Sequence, residues 1–248
     1  MVYLAEFAGC FIFLSCGYAY TCNITLKKTL VPSRNYIELA AAWSLAVGFG
    51  LAVSFIMGGG AFLNPGVVLG NMILGNIGAV DGLLNILMEF LAAGAAMLVC
   101  TVFFWDSFKA SPDTPKRGIF SAYPVERNIV LNFVQELLAS FIFMFIVFTS
   151  ITFSADAEVG RPIGGLAVGA VGACAVMLLA LSFNSTGYSM NAMRSVFSSL
   201  WFVILPIPNK NGEKVDWVYQ LTVNLVGSSV GGISAVIVTA LLKEAIAE

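Results

Sequence analysis

The sequence predicts an all-helical integral membrane protein with six transmembrane helices and two re-entrant half-helices arranged as an inverted repeat. Its 248 residues are 59% hydrophobic and only 10% charged, whereas a soluble domain is about half apolar and a quarter charged. Six apolar segments are long enough to cross a hydrocarbon core, which takes about 20 residues. An internal repeat with three spans in each copy is the third observation, and it predicts how the spans are arranged.

The predicted spans are separated by polar or proline-bearing connectors, such as "LKKTLVPSRN" and "DSFKASPDTPKRG". They cover residues 3–22, 38–58, 82–105, 129–152, 163–182 and 217–242. Two further apolar segments, 64–73 and 191–202, are too short to span, and each begins with Asn, which is well suited to cap a helix N-terminus. Both are predicted to be re-entrant half-helices.

The repeat consists of a span with an early Glu, a second span, a Gly-rich approach, an Asn-headed half-helix and a third span. Its markers are Glu6 and Asn64 in the first copy and Glu136 and Asn191 in the second. Because three spans is an odd number, the two copies must enter the membrane from opposite sides. Non-helical backbone at that depth survives where it lines water or is buried in protein. The sequence therefore predicts a pore where the half-helices meet.

The predicted domain organisation is a single membrane channel domain over residues 1–248. Its two repeats cover about 3–105 and 129–243, and residues 106–128 form the linker between them.

Composition also excludes several functions. The net charge is −2 without any basic run, which argues against a nucleic-acid partner. The chain has no His, the commonest metal ligand and general base, and its five Cys lack metal-binding spacing. We therefore expect no metal and no cofactor. No nucleophile paired with a base is visible, so we expect no enzymatic activity.

The motifs around the two half-helices resemble those of the major intrinsic protein family, the aquaporins and glycerol facilitators, over nearly the whole chain. The segments that carry this resemblance are "AFLNPGVVLG", "TGYSMNAMRS", "AEFAG" and "QELLAS". The connectors "GIFSAYP" at 118–124 and "LPIPNK" at 205–210 are more similar to bacterial glycerol facilitators than to water-only aquaporins. The resemblance implies a passive channel for small uncharged solutes, above all glycerol or a related polyol with water, that excludes ions and protons.

The resemblance further implies a homotetramer with one pore per subunit. It places the protein in a lipid bilayer, the plasma membrane of a bacterium, with both termini in the cytoplasm. The positive-inside rule favours the opposite orientation, because most of the basic residues fall in connectors on the side away from the termini. These are Lys27, Lys28, Arg34, Lys109, Lys116, Arg117, Arg127, Lys210 and Lys214, against Arg161 and Lys243 on the other side. We follow the resemblance.

Both boxes depart from the family's Asn-Pro-Ala pattern. The pore asparagines are kept, but their neighbours are Pro65 and Gly66 in the first box and Ala192 and Met193 in the second. Pro is favoured at the first helical position, yet Ala is the best helix former, so capping should persist without it. Met193 is bulkier than the family's Ala, and we expect Gly66 to make space for it across the junction.

A selectivity filter is expected next to the second box. Arg194 lies one short turn after Asn191, and an unpaired Arg at membrane depth normally faces a polar cavity. The resemblance implies that Arg194 donates to solute oxygens, while Trp43 and Tyr188 form an apolar corner for a carbon backbone. The alternative for these two aromatic residues is an interfacial belt or core packing.

The fourth filter position, by the same resemblance, falls on Leu179. Leu would keep the wall apolar but would take up room. A shift of one residue would substitute Ala180 or Leu178, and Leu179 could instead be a packing or lipid-facing residue.

Three glutamates inside the predicted spans are assigned to supporting the loops. Glu6 and Glu136 match the family's pair, which implies that they accept hydrogen bonds from the N–H groups of the two re-entrant loops. Glu89 departs from the family's pattern, which commonly has Gln at this position. We expect Glu89 to be protonated and hydrogen-bonded like a Gln.

Three alternatives to the glycerol channel stay open at this point. One is a water-preferring aquaporin with a narrowed filter. Another is a proton-coupled transporter, since inverted repeats also occur in transporters and Glu89 could serve as a proton site. The third is a non-conducting structural membrane protein whose altered boxes have closed the pore.

Overall fold

A computed structural model describes residues 1–30, 35–155, 164–210 and 212–247. The helices of the first half are α1 (Val2–Thr25), α2 (Tyr36–Ile56), α3 (Pro65–Ile73), α4 (Ala79–Phe103), α5 (Trp105–Lys109) and α6 (Arg117–Phe120). Those of the second half are α7 (Ile129–Ala155), α8 (Gly165–Ser182), α9 (Ser198–Ile204), α10 (Trp217–Tyr219) and α11 (Ser228–Ala247). Two π-helical segments, Met193–Phe197 and Gln220–Gly227, lead directly into α9 and α11.

The predicted fold class is confirmed. Within the described residues, six helices are long and apolar enough to cross a membrane. They are α1, α2, α4, α7, α8 and the continuous stretch Trp217–Ile246, each of which overlaps one predicted span. The start of the fifth predicted span, residue 163, lies outside the described residues, as do Arg34 and Arg161 of the charge argument.

Both predicted half-helices are present. The first, α3, begins at Pro65, directly after its capping residue Asn64. The second begins at Met193 rather than at Asn191, and its first turn is π-helical before it continues as α9. The segment between α4 and α7 contains the short helices α5 and α6.

The bundle is held by close helix crossings. Helix α1 packs on α2 and α4, α2 packs on α8, and α7 and the half-helix α3 both pack on α11. A Cβ atom added to Gly9 would lie 2.7 Å from the main-chain oxygen of Gly50, and one added to Gly231 would lie 2.4 Å from that of Leu137. Only glycine permits approaches this short, which is the usual way that membrane helices pack.

Several polar side chains lie inside the bundle, and large apolar ones cover its outer surface. Asn64, Asn191 and Arg194 are buried. The outer surface carries side chains such as Leu45 and Phe103, which are 57% and 78% exposed. An apolar exterior suits contact with lipid, and the polar interior is where the two half-helices meet.

Candidate pore

The two half-helices are joined through their capping asparagines. The side-chain oxygen of each accepts from the main-chain N–H two residues further on, at 2.9 Å in both cases. The amide of Asn64 donates to the main-chain oxygen of Met190 at 2.9 Å, and the amide of Asn191 donates to that of Leu63 at 2.6 Å. Each asparagine therefore caps its own half-helix and binds the loop that leads into the other. We call this meeting point the junction.

The loops that approach the junction share an unusual backbone conformation. Ala61 and Leu63 have φ angles of +49° and +46°, and Tyr188 and Met190 have φ angles of +38° and +47°. These residues stand three and one positions before each asparagine. Positive φ is uncommon for residues other than glycine and persists where surrounding contacts enforce it. The two copies of the repeat thus share positive φ angles at matched positions.

Two buried glutamates hold these loops. Glu6 on α1 accepts from the N–H of Leu63 at 2.5 Å. Glu136 on α7 accepts from the N–H groups of Ser189 and Met190 at 3.0 and 2.8 Å, and from the hydroxyl of Thr186 at 2.5 Å. Hydrogen bonds to a carboxylate are stronger than neutral ones, so they are well suited to keep the strained backbone in place.

Glu89 lies in the same region but makes no such bond. It is fully buried on α4, and neither carboxylate oxygen has a hydrogen-bond partner among the described residues. It interacts electrostatically with Glu6 and with the main chain of Asn64. The structure therefore brings Glu89 beside Glu6 and the first loop, without contacts as close as those that Glu6 and Glu136 make.

A narrow cavity runs from the junction towards Arg194. Leu63, Met190 and Asn191 line it at the junction, and Trp43 and Arg194 line it at the other end. About 30 Å³ of it is accessible to the centre of a water molecule, where one water needs about 10–15 Å³. The remaining walls are formed mainly by apolar side chains, from Phe13, Val47, Leu51, Phe62, Phe143, Met144, Val176, Tyr188 and Ser189. The cavity therefore has room for about two or three water molecules.

Arg194 is the charged group of this cavity. Its guanidinium carbon lies 4.5 Å from the ring centroid of Trp43 and 5.4 Å from that of Tyr188, distances typical of cation–π contacts. One terminal nitrogen donates to the main-chain oxygen of Gly187 at 3.3 Å, while Nε has no hydrogen-bond partner among the described residues. Sequence reasoning predicted that Arg194, Trp43 and Tyr188 lie together, and the structure brings them into contact.

The matching family model is described as Major intrinsic protein, and it matches residues 2–238. This chain belongs to the major intrinsic protein family. Members of this family are membrane channels for small solutes rather than enzymes. This chain is such a channel. The resemblance inferred from the two boxes is therefore confirmed.

Relatives of the same family match nearly the whole chain. Glycerol uptake facilitator protein 2 of Lactiplantibacillus plantarum is 29% identical over 236 residues, covering 94% of this chain and 95% of the relative. The D/L-lactic acid transporter of the same bacterium is 30% identical and covers 92% of each chain. The solved aquaglyceroporin from Plasmodium falciparum superposes with a TM-score of 0.78 at 20% identity, covering 95% of this chain and 93% of that one. This chain and that aquaglyceroporin therefore have the same fold.

One residue predicted for the family's filter lies elsewhere. Leu179 is fully buried in α8 and is not among the residues that line the cavity; α8 reaches the cavity through Val176, one turn earlier. Of the neighbouring candidates, Leu178 is 56% exposed on the outer surface, and Ala180 is buried without lining the cavity. The structure thus brings three of the four predicted filter residues together.

The altered family boxes pack differently from the expectation. A Cβ atom added to Gly66 would lie 2.8 Å from the Cα atom and 2.9 Å from the main-chain oxygen of Ser229 on α11. The space beside Gly66 is therefore taken by the α11 backbone, and the expectation that it accommodates Met193 is corrected. Met193 is itself fully buried. Pro65 occupies the first helical position of α3, whereas Ala192 immediately precedes the π-helical turn.

Sequence reasoning missed the residues that seat Trp43. The indole Nε1 donates to the hydroxyl of Thr21 at 3.2 Å, and the rings of Phe13 and Tyr18 meet the indole edge-on at 5.8 Å. A Cβ atom on Gly17 would lie 2.3 Å from the indole ring, so the ring fits there because Gly17 has no side chain. Nothing in the order of residues along α1 marks Gly17 among the other small residues.

Proposed function

We propose that this channel conducts glycerol and related small polyols together with water and excludes ions and protons. The observation that carries this proposal is the arrangement of Arg194 between Trp43 and Tyr188. A polyol has hydroxyl groups along one side and carbon atoms along the other. In this proposal the guanidinium of Arg194, which lines the cavity, offers donors to the hydroxyls, and the rings of Trp43 and Tyr188 accept the carbon side. The names of relatives such as glycerol uptake facilitator protein 2 support the same solute class.

Exclusion of ions follows from the junction. The positive ends of two helix dipoles meet where Asn64 and Asn191 cap their half-helices. Each asparagine amide donates one N–H to the opposite loop. Asn191 also lines the cavity, and in this proposal its second N–H binds a solute oxygen. In aquaporin-type pores such dipole ends exclude cations and protons. In this proposal Glu6 and Glu136 keep the loops in register.

The whole chain, in this proposal, is one channel domain with repeats at about 3–105 and 129–243. Four copies form the homotetramer, each with its own pore, in the plasma membrane of a bacterium with the termini in the cytoplasm. A Cys introduced into 106–128, in a background where the exposed Cys16 and Cys174 are Ser, tests the orientation. Labelling from outside the cell is expected, and labelling only from the cytoplasm would contradict it. Mass determination of the purified detergent complex tests the tetramer.

Solute flux tests the function. Liposomes that contain the purified protein are mixed with hyperosmotic solutions of glycerol, urea or lactic acid. Light scattering then follows the change in liposome volume. We expect rapid swelling with glycerol that is independent of a proton gradient. Fast water flux without glycerol flux would indicate a water-preferring channel, and dependence on a proton gradient would indicate a coupled transporter. Lactic acid is included because a relative is named for it.

A further inference from the structure

Tyr36 is the first residue of α2 and is fixed there by a helix cap. The side chain of Asn35 accepts from the N–H of Ile37 at 2.9 Å. Tyr36 stands seven residues before Trp43, which is two helical turns, so both lie on the same face of α2 at about 10 Å separation along the axis. Trp43 lines the cavity. Tyr36 therefore lies on the pore-facing side of α2, beyond the Arg194 end of the cavity.

Two contacts anchor the Tyr36 side chain. Its hydroxyl donates to the main-chain oxygen of Ala180 at 2.7 Å. Ala180 belongs to the last turn of α8, where main-chain oxygens run out of partners within the helix. The Tyr36 ring meets the ring of Tyr188 edge-on, with centroids 6.2 Å apart and planes at 89°. Tyr36 thus connects the start of α2, the end of α8 and the loop of the second box.

The two aromatic walls of the cavity differ in how they are held. The Trp43 ring is hydrogen-bonded to Thr21 and packed by two neighbouring rings. Tyr188 sits on a strained backbone with φ of +38°, and its ring contacts Arg194 and Tyr36. Tyr36 therefore contacts the cavity-lining ring of Tyr188 while its own hydroxyl is bound to α8.

We propose that Tyr36 is a positioning residue that sets the size limit of the pore by holding Tyr188 against Arg194. The inference rests on the proposed role of Trp43, Tyr188 and Arg194 in selecting the solute. Tyr36 does not line the cavity and acts through Tyr188. Removal of its ring frees the Tyr188 ring to turn outwards, which widens the passage. A four-carbon polyol gains more from that widening than glycerol does.

The test compares Tyr36→Ala with a matched control, Tyr20→Ala. Tyr20 on α1 also donates its hydroxyl to another helix, to Glu38 at 3.1 Å, but does not contact Tyr188. The readout is the ratio of erythritol to glycerol permeability in liposomes, which does not depend on the amount of folded protein. We expect Tyr36→Ala to raise this ratio about two- to tenfold, which is the factor that corresponds to the free energy of one edge-to-face aromatic contact. Tyr20→Ala should leave it unchanged.

Further variants keep the proposal falsifiable. Tyr36→Phe retains the ring and loses the hydroxyl, with its bond to Ala180 and its interactions with Asn184 and Tyr188. Because the proposal assigns the positioning of Tyr188 to the ring of Tyr36, the ratio should stay near the wild-type value. If Tyr36→Ala does not fold, Tyr36→Leu removes the ring edge while keeping an apolar side chain, and the same rise is expected. Equal ratios in the Tyr36→Leu, Tyr20→Ala and wild-type proteins would overturn the proposal, and so would a Phe variant that matches Ala.

Failure of the proposed function is distinguishable from failure of this inference. A wild-type protein that passes water and no polyol contradicts the polyol channel. The ratio of urea to water permeability then reports the size limit, and Tyr36→Ala should raise that ratio while Tyr20→Ala should not.

Discussion

Asn191 donates its side-chain amide to the main-chain oxygen of Leu63 at 2.6 Å, across the junction from the half-helix that it caps. Asn64 makes the corresponding bond to Met190. The two loops are therefore tied to each other at the same residues whose N–H groups bind Glu6 and Glu136. The geometry of the junction depends on these crossed bonds, and most of them can be tested by substitutions that change only a few atoms.

The Asn191→Asp variant should weaken the junction. Aspartate keeps the oxygen that caps the half-helix but loses the amide that binds the Leu63 oxygen, and an unpaired buried acceptor costs about 1–3 kcal/mol. It also adds negative charge where the helix dipoles favour solute oxygens. We expect a lower thermal midpoint in detergent and reduced glycerol flux. Asn71→Asp is the control, because the Asn71 amide binds Val67 within its own half-helix. Equal glycerol flux in the two variants would contradict the role of the crossed bond.

Glu136→Gln should destabilise the second loop far more than Glu89→Gln affects the first. The N–H groups of Ser189 and Met190 bind different oxygens of Glu136, so a Gln there turns one acceptor into a donor that faces one of these two N–H groups. Each lost bond to a charged group is worth about 1.5–3 kcal/mol. Neither carboxyl oxygen of Glu89 has such a hydrogen-bond partner among the described residues, so we expect its Gln variant to lose less stability than Glu136→Gln. Chemical unfolding of both variants in detergent checks this difference, and similar losses of stability would refute it.

Val176→Ala and Leu179→Ala should have different effects. Val176 lines the cavity, so its truncation widens the passage and should raise glycerol flux relative to water flux. Leu179 is buried away from the cavity, and its truncation should cost about 2–5 kcal/mol of stability without changing that ratio. Parallel flux and thermal-midpoint measurements separate the two. A rise in the ratio for Leu179→Ala alone would restore Leu179 as the fourth filter residue.

Gly17→Ala should displace Trp43. The added Cβ would lie 2.3 Å from the indole ring, and overpacking of this kind costs about 1–3 kcal/mol. Because Trp43 forms a wall of the cavity, we expect a loss of glycerol flux together with a lower thermal midpoint. Gly118→Ala is the control, since a Cβ there meets no atom within 4 Å. Unchanged glycerol flux in Gly17→Ala would show that the indole has room to move aside.

Local patterns in the sequence were sufficient for the fold. About 20 consecutive apolar residues indicate a transmembrane helix. A shorter apolar run that follows a capping residue indicates a re-entrant half-helix. All six spans and both half-helices were found from these signals. The positions of Glu6, Glu136, Asn64 and Asn191 relative to the spans also predicted that the halves are inverted, because an odd number of spans reverses the direction of entry.

In the second box, the sequence predicts which residues face the pore but not which residues they contact. Asn191 and Arg194 were recognised because polar residues at membrane depth require a polar cavity. That Asn191 would bind Leu63, 128 residues away, required both loops in three dimensions. The contact that excludes a Cβ at Gly66 comes from Ser229 on α11, rather than from the other box.

The sequence by itself determined the membrane class, the number and inversion of the helices, and the polar residues at the junction. Only the tertiary structure decided which apolar side chains line the cavity and which lie behind it. Val176 and Leu179 both lie on α8, and the helix period alone does not say which faces the pore, because every side of a buried membrane helix is apolar. Tyr36 and Gly17 contact their partners across helix interfaces. Distances of that kind exist only once the helices have packed.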